Sequence, residues 1–450
     1  MSLRRRLDAR SEDPVGAMPR GAFVIVFCVS LAVAVGNTGM QSVLPAIGRS
    51  IQIPDFMVAA IYSLSALLWA FSSPWWARRS DVMGRKPLML IGLGGFAVSM
   101  TLCGLVVGAG LVGWSTPMVI FVLFLLSRAI FGFFGAAAPP ASQAYVAERT
   151  TRAERTQAMA TLAGAFGLGT IVGPVIAPLF ILPIMVGLAG PMFGFGLIAV
   201  VVFYVVVRYL PEPRLAAAAG EPGDAAEPPP GPTVPGPGGP IWRDGRVAPF
   251  LIYGFLLATT QTAQIQTLGF LVLDKLELPP MQAQGYIMVA MAAGAVTGLL
   301  AQWGLIRMFN MGPRHLLRWG VALAALGNLV VAFAPQYGGV VVGYALASLG
   351  FGFARPGFTA GASLAVSMKE QARAAGAIGA VFGANVILAP LFVLLYQFWG
   401  PAPFLLNVAI LAGLLVYCFR NRALIAAGVE RTPDEVVAAA QLERTDEGSP

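Results

Sequence analysis

The chain has 450 residues, of which 57% are hydrophobic and 11% charged, and its mean hydropathy is +0.76. A soluble domain carries about 25% charged residues, so this composition cannot cover the surface of a soluble protein. The apolar residues form runs of about 18 or more, long enough to cross a bilayer as a helix, and they lack the alternation of a membrane β-barrel. The basic residues behind the net charge of +8 are scattered, which excludes nucleic acid as an expected partner.

Twelve candidate membrane spans follow in chain order, six before and six after a central break. They cover residues 22–45, 56–77, 88–110, 118–144, 157–181, 192–210, 248–272, 283–306, 315–334, 338–366, 374–397 and 402–420. We number them span 1 to span 12. The pattern predicts an all-α polytopic membrane protein with twelve transmembrane helices in two pseudo-symmetric six-helix halves.

The same pattern divides the chain into five parts. They are a polar N-terminal tail (1–21), an N-terminal half (22–210), a linker (211–247), a C-terminal half (248–420) and a polar C-terminal tail (421–450). The linker is rich in Pro, Gly and Ala and cannot bury a core, so we expect it to tether the two halves without packing on them.

The basic residues predict the orientation of the spans. Of the 29 Lys and Arg residues, only Arg49 and Lys275 fall in odd-numbered loops, and only Arg128 and Arg355 fall in the interior of spans. The rest lie in the tails, the linker, the even-numbered loops and the span ends next to them, and basic loops stay in the cytoplasm. We therefore expect a multi-pass protein of the inner (plasma) membrane with both termini cytoplasmic.

The two halves carry a related sequence. Residues 165–180 of span 5 read AFGLGTIVGPVIAPLF, and residues 377–392 of span 11 read AIGAVFGANVILAPLF. Internal repeats of this kind build many secondary transporters, with the substrate site between the halves. The alternative is that the small residues only allow close packing of helices. That would explain the sequence of either span by itself, but not its recurrence in both halves.

The loop after span 2 reads ARRSDVMGRKP from Ala77 to Pro87. It contains Asp81, Gly84, Arg85 and Lys86, and it resembles the G-x-x-x-D-R-x-G-R-K signature of the major facilitator superfamily, with Ala77 and Val82 as departures. The resemblance implies a twelve-helix transporter in which this loop controls the cytoplasmic gate. The alternative is that a short cytoplasmic loop simply collects basic residues.

Three further segments resemble the drug:proton antiporter branch of that superfamily, which includes tetracycline and multidrug efflux proteins. Span 4 carries Arg128 before a Gly-rich run, and in relatives this arginine is tied to proton transfer. The loop after span 4 carries Glu148, which the resemblance pairs with Arg85 to close the cytoplasmic side. Span 5 contains Gly169, Gly173 and Pro174 of a G-x-x-x-G-P motif.

Each of these residues also has a plainer interpretation. An intramembrane arginine is functional by default, yet Arg128 could be satisfied by carbonyls of neighbouring helices. Glu148 could be a solvated acid at a helix end. Glycines four residues apart let two helices approach closely, whatever the protein does.

Polar residues inside spans indicate a substrate pocket at the midplane. The candidates are Asn37 and Gln41 in span 1, Arg128 in span 4, Gln261 and Gln264 in span 7, Arg355 in span 10 and Asn385 in span 11. For any single amide, a hydrogen bond between helices is the alternative. A pocket with two arginines, several amides and no acid favours neutral, amphipathic or anionic substrates.

The sequence therefore predicts a secondary active transporter that exports a small amphipathic or anionic compound by alternating access, with the proton as coupling ion. No Asp or Glu lies in the interior of a span, which leaves Glu148, Asp81 and Asp274 as candidates for protonation. This shortage of acids favours the alternative, an uncoupled facilitator or importer of a metabolite or lipid-like molecule. We expect a monomer that contacts membrane lipids and is neither an enzyme nor dependent on a metal or cofactor.

Overall fold

A computed structural model of the chain describes residues 20–150, 152–181, 187–211, 241–366 and 370–427. In these ranges the chain forms sixteen α-helices, joined by turns and by short 3-10 and π segments. Most of the predicted linker and both predicted tails lie outside the described residues.

Seven helices build the N-terminal half. They are α1 (Arg20–Ile51), α2 (Asp55–Met83), α3 (Arg85–Leu111), α4 (Pro117–Phe134), α5 (Ala138–Ala147), α6 (Arg152–Ile176) and α7 (Gly190–Tyr209). Here α4 and α5 are the two parts of span 4.

Nine helices build the C-terminal half. They are α8 (Ala248–Leu276), α9 (Pro280–Leu299), α10 (Ile306–Met308), α11 (Pro313–Phe333), α12 (Tyr337–Leu364), α13 (Gln371–Ala384), α14 (Ala389–Phe398), α15 (Ala402–Arg420) and α16 (Arg422–Ile425). Span 8 comprises α9, a π segment and α10, and span 11 comprises α13, a 3-10 turn and α14. We call the end of the bundle with the α2–α3 turn the linker end and the opposite end, with the α1–α2 and α8–α9 turns, the outer end.

Ten helical segments in the described part are long and apolar enough to cross a membrane. They confirm a polytopic helical membrane protein. The other two predicted spans are helical but fail one of the two criteria. The described apolar part of span 5, Gly167–Phe180, is short. The 29-residue α8 is long enough, but a run of Thr and Gln residues lowers its hydropathy.

Two short helical elements lie within the ranges assigned to the linker and the C-terminal tail. Ile241–Arg243 forms a 3-10 turn ahead of α8, within the range assigned to the linker. Arg422–Ile425 forms a short helix within the range assigned to the tail. The Asn421 side chain accepts hydrogen bonds from the first backbone N–H groups of that helix, which explains why it begins there.

The repeated Ala-Pro-Leu-Phe sequence interrupts a helix in both halves. In span 5 these four residues, Ala177–Phe180, form a 3-10 turn at the end of α6. In span 11 the 3-10 turn is Asn385–Leu388, and Ala-Pro-Leu-Phe begins the next helix, α14. Proline lacks the N–H that continues an α-helix, so the same motif breaks both spans, with a shift of four residues.

Spans 1 and 5 pack backbone against backbone. The Thr38 hydroxyl of α1 donates a 2.8 Å hydrogen bond to the Gly169 carbonyl of α6. A Cβ atom at Gly173 would overlap the Thr38 hydroxyl and the Val35 carbonyl of α1. The glycines of the G-x-x-x-G-P motif therefore allow a close approach of two helices that larger residues would prevent.

We expect Gly173→Ala to destabilise the protein by about 1–3 kcal/mol, because the added methyl group must displace α1 or α6. Thermal unfolding in detergent measures this. Gly167→Ala on the same helix is the control, since a Cβ there meets nothing within 4 Å. Equal melting temperatures for the two variants would contradict the close packing of spans 1 and 5.

Candidate functional site

The α2–α3 turn at the linker end depends on a glycine. Gly84 has a φ of 90°, a conformation that L-amino acids with side chains rarely adopt. The turn lets α3 begin at once with Arg85 and Lys86. The side chain of the predicted motif residue Asp81 lies outside the described part of the structure.

Arg85 pairs with Glu148, as the sequence resemblance implies. Arg85 Nη2 lies 2.6 Å from Glu148 Oε1, and Arg85 Nε donates to the same oxygen at 2.8 Å. Arg85 also donates to the Ser80 hydroxyl at 2.7 Å. Glu148 follows the last residue of α5, so this pair joins the start of α3 to the end of span 4.

Lys86 joins the same turn to the end of span 6. Its Nζ donates to the carbonyls of Val207 at 3.0 Å and Leu210 at 2.8 Å. Arg85 and Lys86 therefore hold three helix ends together, and all three belong to the N-terminal half. The pair Arg85–Glu148 braces the linker end of one half and does not itself connect the two halves.

Arg128 is enclosed within the N-terminal half. Only 1% of its surface is exposed, which corrects the expectation that it lines an open cavity. Its Nη2 donates to the Asn37 side-chain carbonyl at 2.7 Å. Its guanidinium carbon lies 5.0 Å from the ring centre of Tyr62 and 4.6 Å from that of Phe131.

The hydrogen-bonding capacity of Arg128 is mostly unused. Its Nε and Nη1 atoms are buried and have no hydrogen-bond partner among the described residues, and no carboxylate there contacts the guanidinium. The two aromatic faces compensate part of the charge through cation–π attraction. A buried cation with unpaired donors carries a free-energy cost that a passing anionic group would relieve.

Asn37 and Gln41 lie on one side of α1 but have different partners. The Asn37 side chain holds Arg128, and its backbone carbonyl accepts a 3.0 Å hydrogen bond from the Tyr62 hydroxyl. Gln41 instead donates to Gln266 of α8, across the boundary between the halves. A small cavity of about 20 Å³ lies beside this Gln41–Gln266 pair.

Gln264 does not face the boundary between the halves. It is buried in a cluster of amides with Asn328 of α11 and Asn407 of α15, in the interior of the C-terminal half. Asn328 donates to Gln264 at 3.3 Å, and Asn407 donates to Asn328 at 3.0 Å. Its assignment as a pocket residue is therefore not supported by its position, because neighbouring helices cover it.

The remaining pocket candidates occupy two environments. Asn385 is buried and accepts a 2.6 Å hydrogen bond from the Thr262 hydroxyl of α8, next to half-buried Gln261. Arg355 is an exposed residue of α12, whereas Arg128 is buried. The predicted site residues therefore separate into a buried N-terminal group, a buried C-terminal group and residues at the boundary.

Sequence reasoning missed Asn328 and Asn407 as polar members of the C-terminal half. In each case the sequence feature that could have identified the residue is a single amide in an otherwise apolar stretch of the span. It also treated Arg49 only as a basic residue in an outer loop, whereas Arg49 binds Asp55 and, in the other half, Asp274. The part of the chain that the structure describes has no cluster of three or more His, Cys, Asp or Glu able to hold a metal ion.

Residues 26–311 match the sequence profile of the Major Facilitator Superfamily. The chain belongs to this family. The long apolar helices on both sides of the linker, the motif loop at Gly84 and the arginine in span 4 agree with this membership.

Curated relatives match part of the chain. Tetracycline resistance protein, class D, of Salmonella ordonez is 34% identical over 160 residues, 35% of this chain and 37% of that protein. The class B protein of Escherichia coli is 27% identical over 199 residues, 42% and 44% of the two chains. Multidrug resistance protein 2 of Bacillus subtilis is 32% identical over 142 residues, 32% and 28% of the two chains. The chain thus spans less than half the length of these relatives.

Solved structures share the fold over most of the chain. The human organic anion transporter MFSD10 (TETRAN) has 19% identity and a TM-score of 0.59, covering 89% of this chain and 100% of that one. The nucleoside transporter NupG has 13% identity and a TM-score of 0.67, covering 90% and 99% of the two chains.

We expect charge reversal at either Arg85 or Glu148 to reduce transport severalfold, because like charges would then separate the helix ends that the pair joins. Combining Arg85→Glu with Glu148→Arg should restore part of the activity, since the Coulomb term depends only on opposite signs. Uptake or efflux in vesicles measures the effect. Arg78→Glu, at an exposed arginine of α2, is the matched control.

A double variant no more active than the two single variants would contradict this pairing. Glu148 would then be a solvated acid at the end of α5, a position worth at most about 1 kcal/mol.

Proposed function

We propose that the protein is a secondary transporter of the inner membrane that exports a small amphipathic or anionic compound by alternating access. Family membership and the tetracycline and multidrug resistance relatives support export. They favour it over the alternative of an uncoupled importer or facilitator. An anionic substrate also agrees with one structural neighbour, the human organic anion transporter.

One observation carries the proposed substrate class. Arg128 is a buried cation in the middle of a span, with two unpaired nitrogens and no carboxylate against it in the described structure. A cationic drug would need a carboxylate counter-charge, and the described spans have none in their interior. An anionic or hydrogen-bond-accepting group is the partner that this guanidinium lacks.

The contacts between the halves support alternating access. Side-chain hydrogen bonds and ion pairs that join the halves include Gln41–Gln266, Arg49–Asp274, Ser63 to the Val386 carbonyl and Gln284 to the Ser42 carbonyl. These four lie at the midplane or the outer end. With the orientation predicted from the basic residues, these contacts support a state closed toward the periplasm. The proposed substrate contacts are Asn37, Gln41, Arg128, Gln261, Arg355 and Asn385.

We propose the proton as coupling ion, with the linker as a cytoplasmic tether and a monomer as the working unit. The test is proton release from purified protein on addition of an anionic, a neutral and a cationic amphipathic compound of similar size. Proton release on addition of the anionic compound supports both the proton as coupling ion and the anionic substrate class. Transport of that compound in vesicles without proton movement would retain the transporter and reject the coupling ion.

We expect Arg128→Ala to abolish transport while the protein is at least as stable in detergent, because the variant removes an unpaired buried charge. Arg128→Lys should insert normally and lose most of its activity, since lysine keeps the charge but not the planar fork of donors. Vesicle transport and thermal unfolding measure the two effects. Arg79→Ala is the control, because Arg79 also lies over an aromatic ring, 5.0 Å from the Trp75 centre, but is exposed.

Full activity of Arg128→Ala would contradict the proposed role. Early melting of that variant would instead indicate that Arg128 holds α1, α2 and α4 together as a structural residue.

A further inference from the structure

An ion-pair network connects the two halves at the outer end. Arg49 lies in the last turn of α1 and Asp55 begins α2, both in the N-terminal half. Asp274 lies near the end of α8 and Tyr396 in α14, both in the C-terminal half. We call these four residues the outer latch.

Arg49 is shared between two carboxylates. Its Nε and Nη2 atoms donate to the two oxygens of Asp55 at 2.7 and 2.6 Å, a bidentate pair within one half. Its Nη1 lies 3.0 Å from Asp274 Oδ1, across the boundary. The Asp55 side chain is 5% exposed, whereas that of Asp274 is 41% exposed.

Each partner keeps a hydrogen bond when the cross-half pair breaks. Arg49 retains both bonds to Asp55, and Asp274 retains the 2.6 Å hydrogen bond that the Tyr396 hydroxyl donates. Separation therefore leaves no buried charge without a partner, which is the usual cost of breaking an ion pair inside a protein. The pair can open and close repeatedly at small free-energy cost.

The outer latch lies in a cavity where dissolved salt can weaken the attraction between its charges. The four residues line a cavity of about 920 Å³ at the outer end, between the halves. Lys275 also lines it, next to Asp274 on α8. Partly exposed charges in such a cavity are screened by salt, so the attraction between Arg49 and Asp274 depends on ionic strength.

We propose that Asp274 and Arg49 are the gating pair of the outer end, with Asp55 as the residue that positions Arg49 and Tyr396 as the residue that positions Asp274. The proposal rests on alternating access, the proposed function, and names the residues that hold its outer side closed. Removal of the Asp274 charge shifts the population toward a state with the outer ends of the halves apart.

The test is a distance measurement between spin labels on the two halves. Val112→Cys and Gln336→Cys place labels on exposed loop residues at the outer end, away from the latch. The full chain is used without substrate. Cys28 is replaced by alanine because it is partly exposed and would react with the label, whereas Cys103 and Cys418 are buried and are kept. Asp274→Asn is expected to raise the ratio of long to short distances by about two- to fivefold, the size expected for one partly exposed ion pair.

Salt gives a second readout that needs no latch variant. Raising the salt concentration to about 1 M should shift the protein with an intact latch in the same direction, while Asp274→Asn should no longer respond to salt. Asp274→Glu should retain the salt response. Tyr396→Phe should give a smaller shift than Asp274→Asn, because it removes only the donor that positions the carboxylate.

Glu370→Gln is the matched control. Glu370 pairs with Arg246 at 3.1 Å, but this pair joins the C-terminal half to the end of the linker, away from the outer end. This variant should leave the distances at the outer end unchanged. Unaltered distances in Asp274→Asn, together with no salt response of the intact latch, would overturn the proposal. The distances are measured without substrate. If the protein transported none of the test compounds, the proposed function would be rejected, but the distances would still test the gating pair.

Discussion

The absence of water from the bilayer interior is the constraint on which this structure depends. Each polar group placed there must find its partner inside the protein. The backbone meets this requirement with helices, and the side chains meet it with local clusters. Gln264, Asn328 and Asn407 are joined by hydrogen bonds, although Gln264 Nε2 and Asn407 Oδ1 have no partner among the described residues. Arg128 has Asn37 and two aromatic faces, and its charge sets it apart from the neutral cluster.

Hydropathy predicts the fold well because the same constraint makes each span a long apolar run. Ten segments meet that pattern, and the departures are informative. The helix α8 is long but contains a polar run whose members bond in two directions. Gln266 and Asp274 contact the other half, while Thr262 and Gln264 bond within their own half. The breaks in spans 4, 5 and 11 were not visible as boundaries, because a proline in an apolar run can bend a helix or end it. Tertiary packing decides which occurs.

The sequence predicted the contacts of the site where two family motifs name both members of a residue pair. The Arg85–Glu148 pair followed from two motifs on neighbouring loops, and both lie on one surface of one half. The surroundings of Gln264 were not predictable, for a different reason. Burying an unpaired amide against apolar groups costs free energy on any side of a helix. An amide in a span therefore indicates that a hydrogen-bond partner exists, but not on which side of the helix it lies. Asn407 and Asn328, the partners of that amide, lie in spans that offered no other polar residue nearby in the sequence.

The two ion-pair arrangements of the N-terminal half have opposite consequences for motion. Arg85 and Lys86 bind helix ends of their own half, so they make that half move as one body. Arg49 also holds a partner in its own half but donates to Asp274 across the boundary as well. Among the bonds described above, those of Arg85 and Lys86 hold helix ends of one half in defined positions, while the bond from Arg49 to Asp274 leaves each partner with another bond when it breaks. This arrangement agrees with the proposed rigid-body exchange between two states, in which the halves separate along their boundary.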